Sequence, residues 1–140
     1  MSDVYKEMVV DADDSMLDEV LDFLSENLEE AGCSLKLQMQ ICVAAEEIFV
    51  NIAHYAYKPD SGKATVSVEL TGDPVTITIT FIDSGIPFDP LAKEDPDEDV
   101  VFNEEKIGGL GIYMTKKMMD DVAYEYKEGK NVLQMKKKLW

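Results

Sequence analysis

Cysteine is scarce in this chain, with two in 140 residues, and a single histidine accompanies them. Cys33 and Cys42 have no C-x-x-C spacing and no histidine cluster beside them, which excludes a zinc site or a disulfide framework and leaves reduced, buried or half-buried thiols. Basic residues are few as well: 13 stand against 29 acidic ones, for a formal net charge of -16. Such a field repels phosphate backbones and anionic lipid, so neither direct nucleic-acid binding nor membrane-surface binding is expected. A basic protein, or an anionic ligand neutralised by a metal, suits that charge, and so does plain solubility. There is no basic leader before an apolar run, and no stretch approaches the length of a membrane span. A cytoplasmic location is therefore expected. Both common phosphate-binding patterns are missing too, since neither G-x-x-x-x-G-K-[ST] nor a strand-borne G-x-G-x-x-G occurs.

What is present suffices for one domain over residues 1–140, because 46% hydrophobic content in a chain this long can bury one substantial core. Val4 to Val10 reads as a short strand. Asp11, Asp13 and Asp14 then offer N-caps for a helix that carries Met16, Leu17, Val20, Leu21, Leu24 and Leu28 at helical spacing, and Ala31-Gly32 ends it. Ser34 caps a second, very apolar helix, which Lys58-Pro59 stops. Ala64 to Leu70 and Val75 to Ile82 alternate polar and apolar residues around turn chemistry at Thr71–Pro74, the pattern of an antiparallel hairpin. A long proline-bearing acidic stretch runs from Gly85 to about Lys106. A helix follows from the glycine cluster through Met119, and strands Val122–Tyr126 and Val132–Leu139 close the chain. No segment repeats. The order predicts an α+β fold, a two-layer sandwich of a mixed sheet with helices on one face.

Chemistry concentrates at three places. On the second helix, roughly 100° per residue puts Leu37, Ile41, Ala44, Ile48, Ile52 and Tyr55 on one stripe. Glu47 and Asn51, one turn apart, stack beside that stripe and can face one cleft. A carboxylate and an amide oxygen so placed could serve phosphoryl transfer as base and as Mg²⁺ ligand, or could be ordinary edge residues of an amphipathic helix. His54 sits near the stripe and is expected to be a buried, hydrogen-bonded histidine.

At the end of the hairpin, Val75, Ile77, Ile79 and Phe81 share one strand face, and counting on by two reaches Asp83. A carboxylate at that inward parity needs a donor, for which an exocyclic adenine amine would serve. Gly85 would let the backbone approach a flat ring, and Ile86-Pro87 would give a purine something to rest on. An Asx-type turn through Ser84-Gly85 is the plain alternative. The third place is Gly108-Gly109-Leu110-Gly111, whose backbone N–H groups before a helix could cradle phosphates, with Lys106 the nearby cation; a simple loop-to-helix connection has the same composition.

In sequence order, Glu47-Ile-Phe-Val-Asn51, Asp83-Ser-Gly-Ile-Pro-Phe-Asp-Pro90 and Ile107-Gly-Gly-Leu-Gly-Ile112 resemble the N-box, G1-box and G2-box of the GHKL ATPase and kinase superfamily. Within it the chain is most similar to bacterial anti-sigma factor serine/threonine kinases, over nearly its whole length. The resemblance implies a GHKL ATP-binding fold with a mainly antiparallel sheet, with ATP and Mg²⁺ as cofactors. It assigns Glu47 as general base, Asn51 as Mg²⁺ ligand, Asp83 as adenine reader and Gly85 as its close-approach partner. Gly108, Gly109 and Gly111 would belong to a mobile ATP lid at about 86–110. The implied partners are an anti-sigma antagonist protein, phosphorylated on serine, and a sigma factor; homodimers are common among such proteins. Pro87 stands where many relatives carry the second glycine of D-x-G-x-G, which puts the loop geometry and kinase turnover in question. A nucleotide-gated binding module without turnover is the alternative, and a structural domain with no nucleotide a third.

Overall fold

A computed structural model describes residues 4–57, 60–72, 75–92 and 110–139. Strand β1 (Val4–Asp11) leads through a 3-10 turn at Asp14–Met16 into α1 (Leu17–Glu30) and α2 (Leu35–Tyr55). Strands β2 (Lys63–Thr71) and β3 (Thr76–Asp83) follow, then a 3-10 turn at Pro90–Ala92, α3 (Leu110–Met118), β4 (Asp121–Lys127) and β5 (Lys130–Lys138). The sheet order is β1-β2-β3-β5-β4, and all four pairings are antiparallel.

Local chemistry explains the boundaries. Asp13 accepts a bond from the Ser15 N–H at 2.8 Å and starts the helical stretch. Gly32, at φ 79°, closes α1 in a Schellman arrangement, with the Cys33 N–H returning to the Leu28 carbonyl at 3.1 Å. Ser34 caps α2 by accepting from the Leu37 N–H at 3.3 Å. Glu128 and Gly129 both take left-handed φ values, 54° and 79°, as a two-residue turn between Lys127 and Lys130 demands.

Alternation makes one sheet face apolar. Ala64, Val66 and Val68 on β2, Ile77, Ile79 and Phe81 on β3, and Leu133 and Met135 on β5 are buried against α1 and α2. Burying side chains of this size contributes about 1.5–3 kcal/mol each. The opposite face carries Glu69, Gln134, Lys136 and Lys138 in solvent. β3 lies in the middle of the sheet, between β2 and β5, so its C-terminal end opens into the interior.

Three sequence expectations shift. The stripe on α2 is wider than proposed: Ala45, Phe49 and Ala53 are buried with Ile41, Ala44 and Ile48, while Leu37 and Ile52 are half-buried and Tyr55 is 54% exposed. The cause is that α2 packs against both α1 and α3 as well as the sheet. His54 is exposed rather than buried, and its Nε2 lies 2.8 Å from Asp14 Oδ2. Finally, β5 begins at Lys130, so Asn131 belongs to the strand and not to the turn.

Candidate functional site

Asp83 falls where strand parity predicted. It is 5% exposed, continues the buried face of Ile77, Ile79 and Phe81, and stands directly across from Asn131 of β5. Its Oδ1 accepts from the Gly85 N–H and from Asn131 Nδ2, each at 2.9 Å. The Asx turn that was the plain alternative is therefore present, and the buried inward carboxylate is present with it. Among the described residues, nothing donates to Oδ2.

Around Asp83 lies a small, mainly apolar pocket of about 40 Å³, open to solvent on one side. Ile48, Asn51, Ile52, Tyr55 and Ala56 of the α2 segment form one wall; Ile86, Phe88 and Pro90 form another; Phe81, Tyr124, Asn131 and Leu133 form the floor on the sheet. The Tyr55 and Phe88 rings meet at its mouth, centroids 6.2 Å apart. Its open, mainly apolar walls with one acceptor at the floor are chemistry against which a planar heteroaromatic ring can lie.

Glu47 lies one turn from Asn51 along α2, and Asn51 Nδ2 donates to its Oε1 at 3.4 Å. With its nitrogen turned to Glu47, Asn51 has its amide oxygen for another partner. Burial pushes the Glu47 carboxyl above the usual carboxylate range; the bond from Asn51 opposes this and the neighbouring Glu46 charge adds to it. Glu47 itself lines a separate recess with Val43, Glu46, Met114 and Thr115, between α2 and α3. Thus Asn51 and Asp83 share one pocket, and Glu47 stands at its next-door edge. Among the described residues, no lysine lines either space.

The chain matches the Histidine kinase-like ATPase domain over residues 10–137, which includes every element carrying this pocket. It belongs to that family. Among its relatives, a serine-protein kinase RsbW of Listeria monocytogenes is 29% identical over 118 residues, covering 81% of this chain and 74% of the relative. A serine-protein kinase RsbW of Bacillus cereus is 33% identical over 98 residues, covering 67% and 60%. Of solved structures, the RsbU and RsbW domains of a Mycobacterium tuberculosis protein match 97% of this chain with a TM-score of 0.69 at 19% identity, although the match spans only 32% of that chain. The SiaB-SiaC complex of Pseudomonas aeruginosa matches 93% of this chain and 88% of its own at a TM-score of 0.60 and 15% identity. These two likenesses concern the fold. No described helix is long and apolar enough to cross a membrane.

For a histidine kinase-like ATPase domain, the remaining expected residues divide into three groups. Gly85 is half-buried beside Asp83, but the close approach it permits is to protein: a Cβ there would stand 2.2 Å from the Ala56 carbonyl oxygen. Pro87 is exposed and lines no wall, and the apolar support comes from Ile86, Phe88 and Pro90 instead. Leu110 and Gly111 start α3, while Lys106, Gly108 and Gly109 lie outside the described residues. Of the segment expected as a lid, Ile86 and Phe88 are anchored rather than loose: the Ile86 N–H donates to the Ala56 carbonyl at 2.9 Å, and both residues are bonded to Asn131. The part from 93 to 109 lies outside the described residues.

Sequence reasoning missed Asn131 and Tyr124. The expected last strand begins at Val132 and leaves Asn131 outside it, yet Leu133 and Met135 are apolar, and counting back by two along the strand reaches Asn131. Tyr124 donates its hydroxyl to Asn131 Oδ1. Burial raises its phenol above the ordinary value; the Phe88 backbone opposes this, and the Asp89 and Asp83 charges reinforce it, so the hydroxyl keeps its proton and remains a donor.

Proposed function

We propose that this chain is an ATP-dependent serine/threonine protein kinase of the anti-sigma type, which phosphorylates an antagonist protein and binds a sigma factor in the cytoplasm. The observation that carries it is Asp83: a 5% exposed carboxylate at the floor of an apolar pocket, with one oxygen not engaged by the described residues. That oxygen is an acceptor on the floor of an open, apolar pocket, and the 6-amino group of adenine is a donor that would meet it. The RsbW serine-protein kinases among its relatives support the phosphoryl-transfer reading, and the partner class comes from the motif resemblance to anti-sigma factor kinases.

In this reading adenine lies between Ile52 and the Ile86–Phe88 wall and the triphosphate runs toward Asn51. Among the described residues of the pocket lining the polyanion meets no lysine, and the chain's net charge is -16. Asn51, with its free amide oxygen, would hold Mg²⁺, a hard ion that suits an oxygen ligand and leaves room for phosphate and water. Bound there, the metal would supply neutralisation of charge on the phosphates. Glu47 accepts the proton of the substrate hydroxyl as its oxygen bonds to the γ-phosphorus and the bond to ADP breaks. The glycine-rich segment before α3, with Lys106, completes the phosphate site.

Melting the protein with and without ATP and Mg²⁺ tests the binding step. At about 100 times its dissociation constant, a ligand adds about 2.7 kcal/mol of stability. No rise in Tm at millimolar ATP would remove the proposal. With γ-labelled ATP, label should appear on a serine of the antagonist protein.

A further inference from the structure

Asn131 has no hydrogen-bonding capacity left for a ligand. Its Nδ2 donates to Asp83 Oδ1 at 2.9 Å and to the Ile86 carbonyl at 2.8 Å. Its Oδ1 accepts from the Phe88 N–H at 3.1 Å and from the Tyr124 hydroxyl. Two donors and two lone pairs complete what a primary amide can do. The orientation is also forced by chemistry: a flipped amide would set its oxygen against the Asp83 carboxylate and the Ile86 carbonyl, and its nitrogen against the Phe88 N–H. At 6% exposure, no water can replace these partners cheaply.

Two consequences meet at the nucleobase end of the pocket. The Asp83 carboxylate is held by two donors on the same oxygen, Gly85 N–H and Asn131 Nδ2, so rotating it would break both bonds and leave two buried donors unpaired. The wall from Ile86 to Phe88 is tied to β5 at both residues, and at Ile86 to the end of α2 as well. The acceptor and the surface against which a ring would lie are therefore set in register by one side chain.

We propose that Asn131 is a positioning residue that locks Asp83 as a single aimed acceptor and so makes the site select 6-aminopurine over 6-oxopurine nucleotides. The inference rests on the nucleotide reading of the pocket given above. A 6-amino group offers a proton to the remaining Asp83 oxygen. A 6-oxo group sets lone pairs against it, and the donor that a 6-oxopurine carries instead, its N1–H, lies one ring position away, where a carboxylate that cannot rotate does not follow. Discrimination by a fixed, buried polar partner exceeds what an apolar pocket of the same shape achieves.

The test compares ADP with IDP, each with Mg²⁺, by calorimetry on the whole chain, so that no turnover interferes. The wild type should prefer ADP by roughly 30–100-fold, the scale of one hydrogen bond to a charged group. Asn131→Asp keeps the shape and replaces the donor by an acceptor, and Asn131→Ala removes both ties. Each should weaken ADP by at least about tenfold while leaving IDP nearly unchanged, so that the preference collapses. Tyr124→Phe removes only the hydroxyl that orients the amide, in a chain that keeps its packing, and should lower the preference by a smaller factor. Equal weakening of both nucleotides, or an unaltered ratio in Asn131→Asp and Tyr124→Phe, would overturn the proposal by reducing Asn131 to a packing residue. A wild type that binds ADP and IDP alike would overturn it directly. A wild type that binds neither would instead overturn the nucleotide reading beneath it.

Discussion

At the Asp83 end of the pocket, Asp83 and Asn131 are buried, the Asn131 amide is fully paired, one Asp83 oxygen has no partner among the described residues, and the bonds run between three strands and the end of α2. At the Glu47 end, two side chains on a single helix share one bond of 3.4 Å, and Glu47 is only half-buried. The first end has a shape before any ligand arrives. The second has room to rearrange around a metal and a hydroxyl. Pre-organisation at the first end lowers the ordering cost of binding, while a base and a metal ligand that are weakly committed in the empty protein can tighten on the reacting groups.

The sharpest way to break this division is to exchange the losses. Glu47→Gln should cut serine phosphorylation by about 10²–10⁴-fold, the usual weight of a general base, and change ATP affinity by less than about threefold. Asp83→Ala should do the converse, weakening ATP by roughly 10–100-fold through loss of a charge-assisted bond. Turnover at saturating ATP should fall much less. Steady-state kinetics with labelled ATP measures both. If Glu47→Gln phosphorylates at the wild-type rate, the two ends do not divide the work and the chain is a nucleotide-gated binding module.

How much of this division was readable beforehand follows from the kind of signal each end leaves. Period-two alternation on β3 carried Asp83 into the interior by counting alone, and helical spacing stacked Glu47 on Asn51. The order of the elements, the hairpin and the caps were equally legible, since each depends on neighbours within a few residues. What escaped depends on pairing across the sheet. Asn131 gains its meaning from standing opposite Asp83, a register that no local pattern announces, and its place after Glu128-Gly129-Lys130 disguised it as turn chemistry. Tyr55 was misplaced because helical counting runs on to the last residue of α2, where the side chain is 54% exposed and meets Phe88. Gly85 was expected to let a flat ring approach, whereas the atom that stands close to it in the structure, Ala56 O, belongs to a helix end far away in sequence.

That last contact gives the next prediction, which asks whether the rigid end is rigid because of backbone packing. Gly85→Ala would push a Cβ to within 2.2 Å of the Ala56 carbonyl oxygen and within 2.7 Å of the Ala56 Cβ. Backbone on one side and the anchored Ile86 on the other leave little room to yield, so the cost should be about 1–3 kcal/mol of folding stability. Chemical denaturation with an unchanged m-value would register it. A variant as stable as the wild type would mean that the α2 end moves freely, and the contrast between the two ends would weaken accordingly.

The smallest expected effect concerns the loose end in the absence of ligand. Because burial raises the Glu47 carboxyl above its unfolded value, the fold favours the protonated form. Its contribution to stability is fully present below the ordinary glutamate range and is lost as pH rises through the higher folded value. Glutamine at this position is neutral at every pH and suffers no such loss. Glu47→Gln should therefore match the wild type near pH 4 and exceed it at pH 7, by less than about 1 kcal/mol because solvent screens a half-exposed group. Melting both proteins across that range decides it. A Glu47→Gln protein less stable than wild type at pH 7 would make Glu47 a structural partner of Asn51. A more stable one would mean that the ionised carboxylate is kept at the expense of the fold, as expected of a base held ready for a substrate.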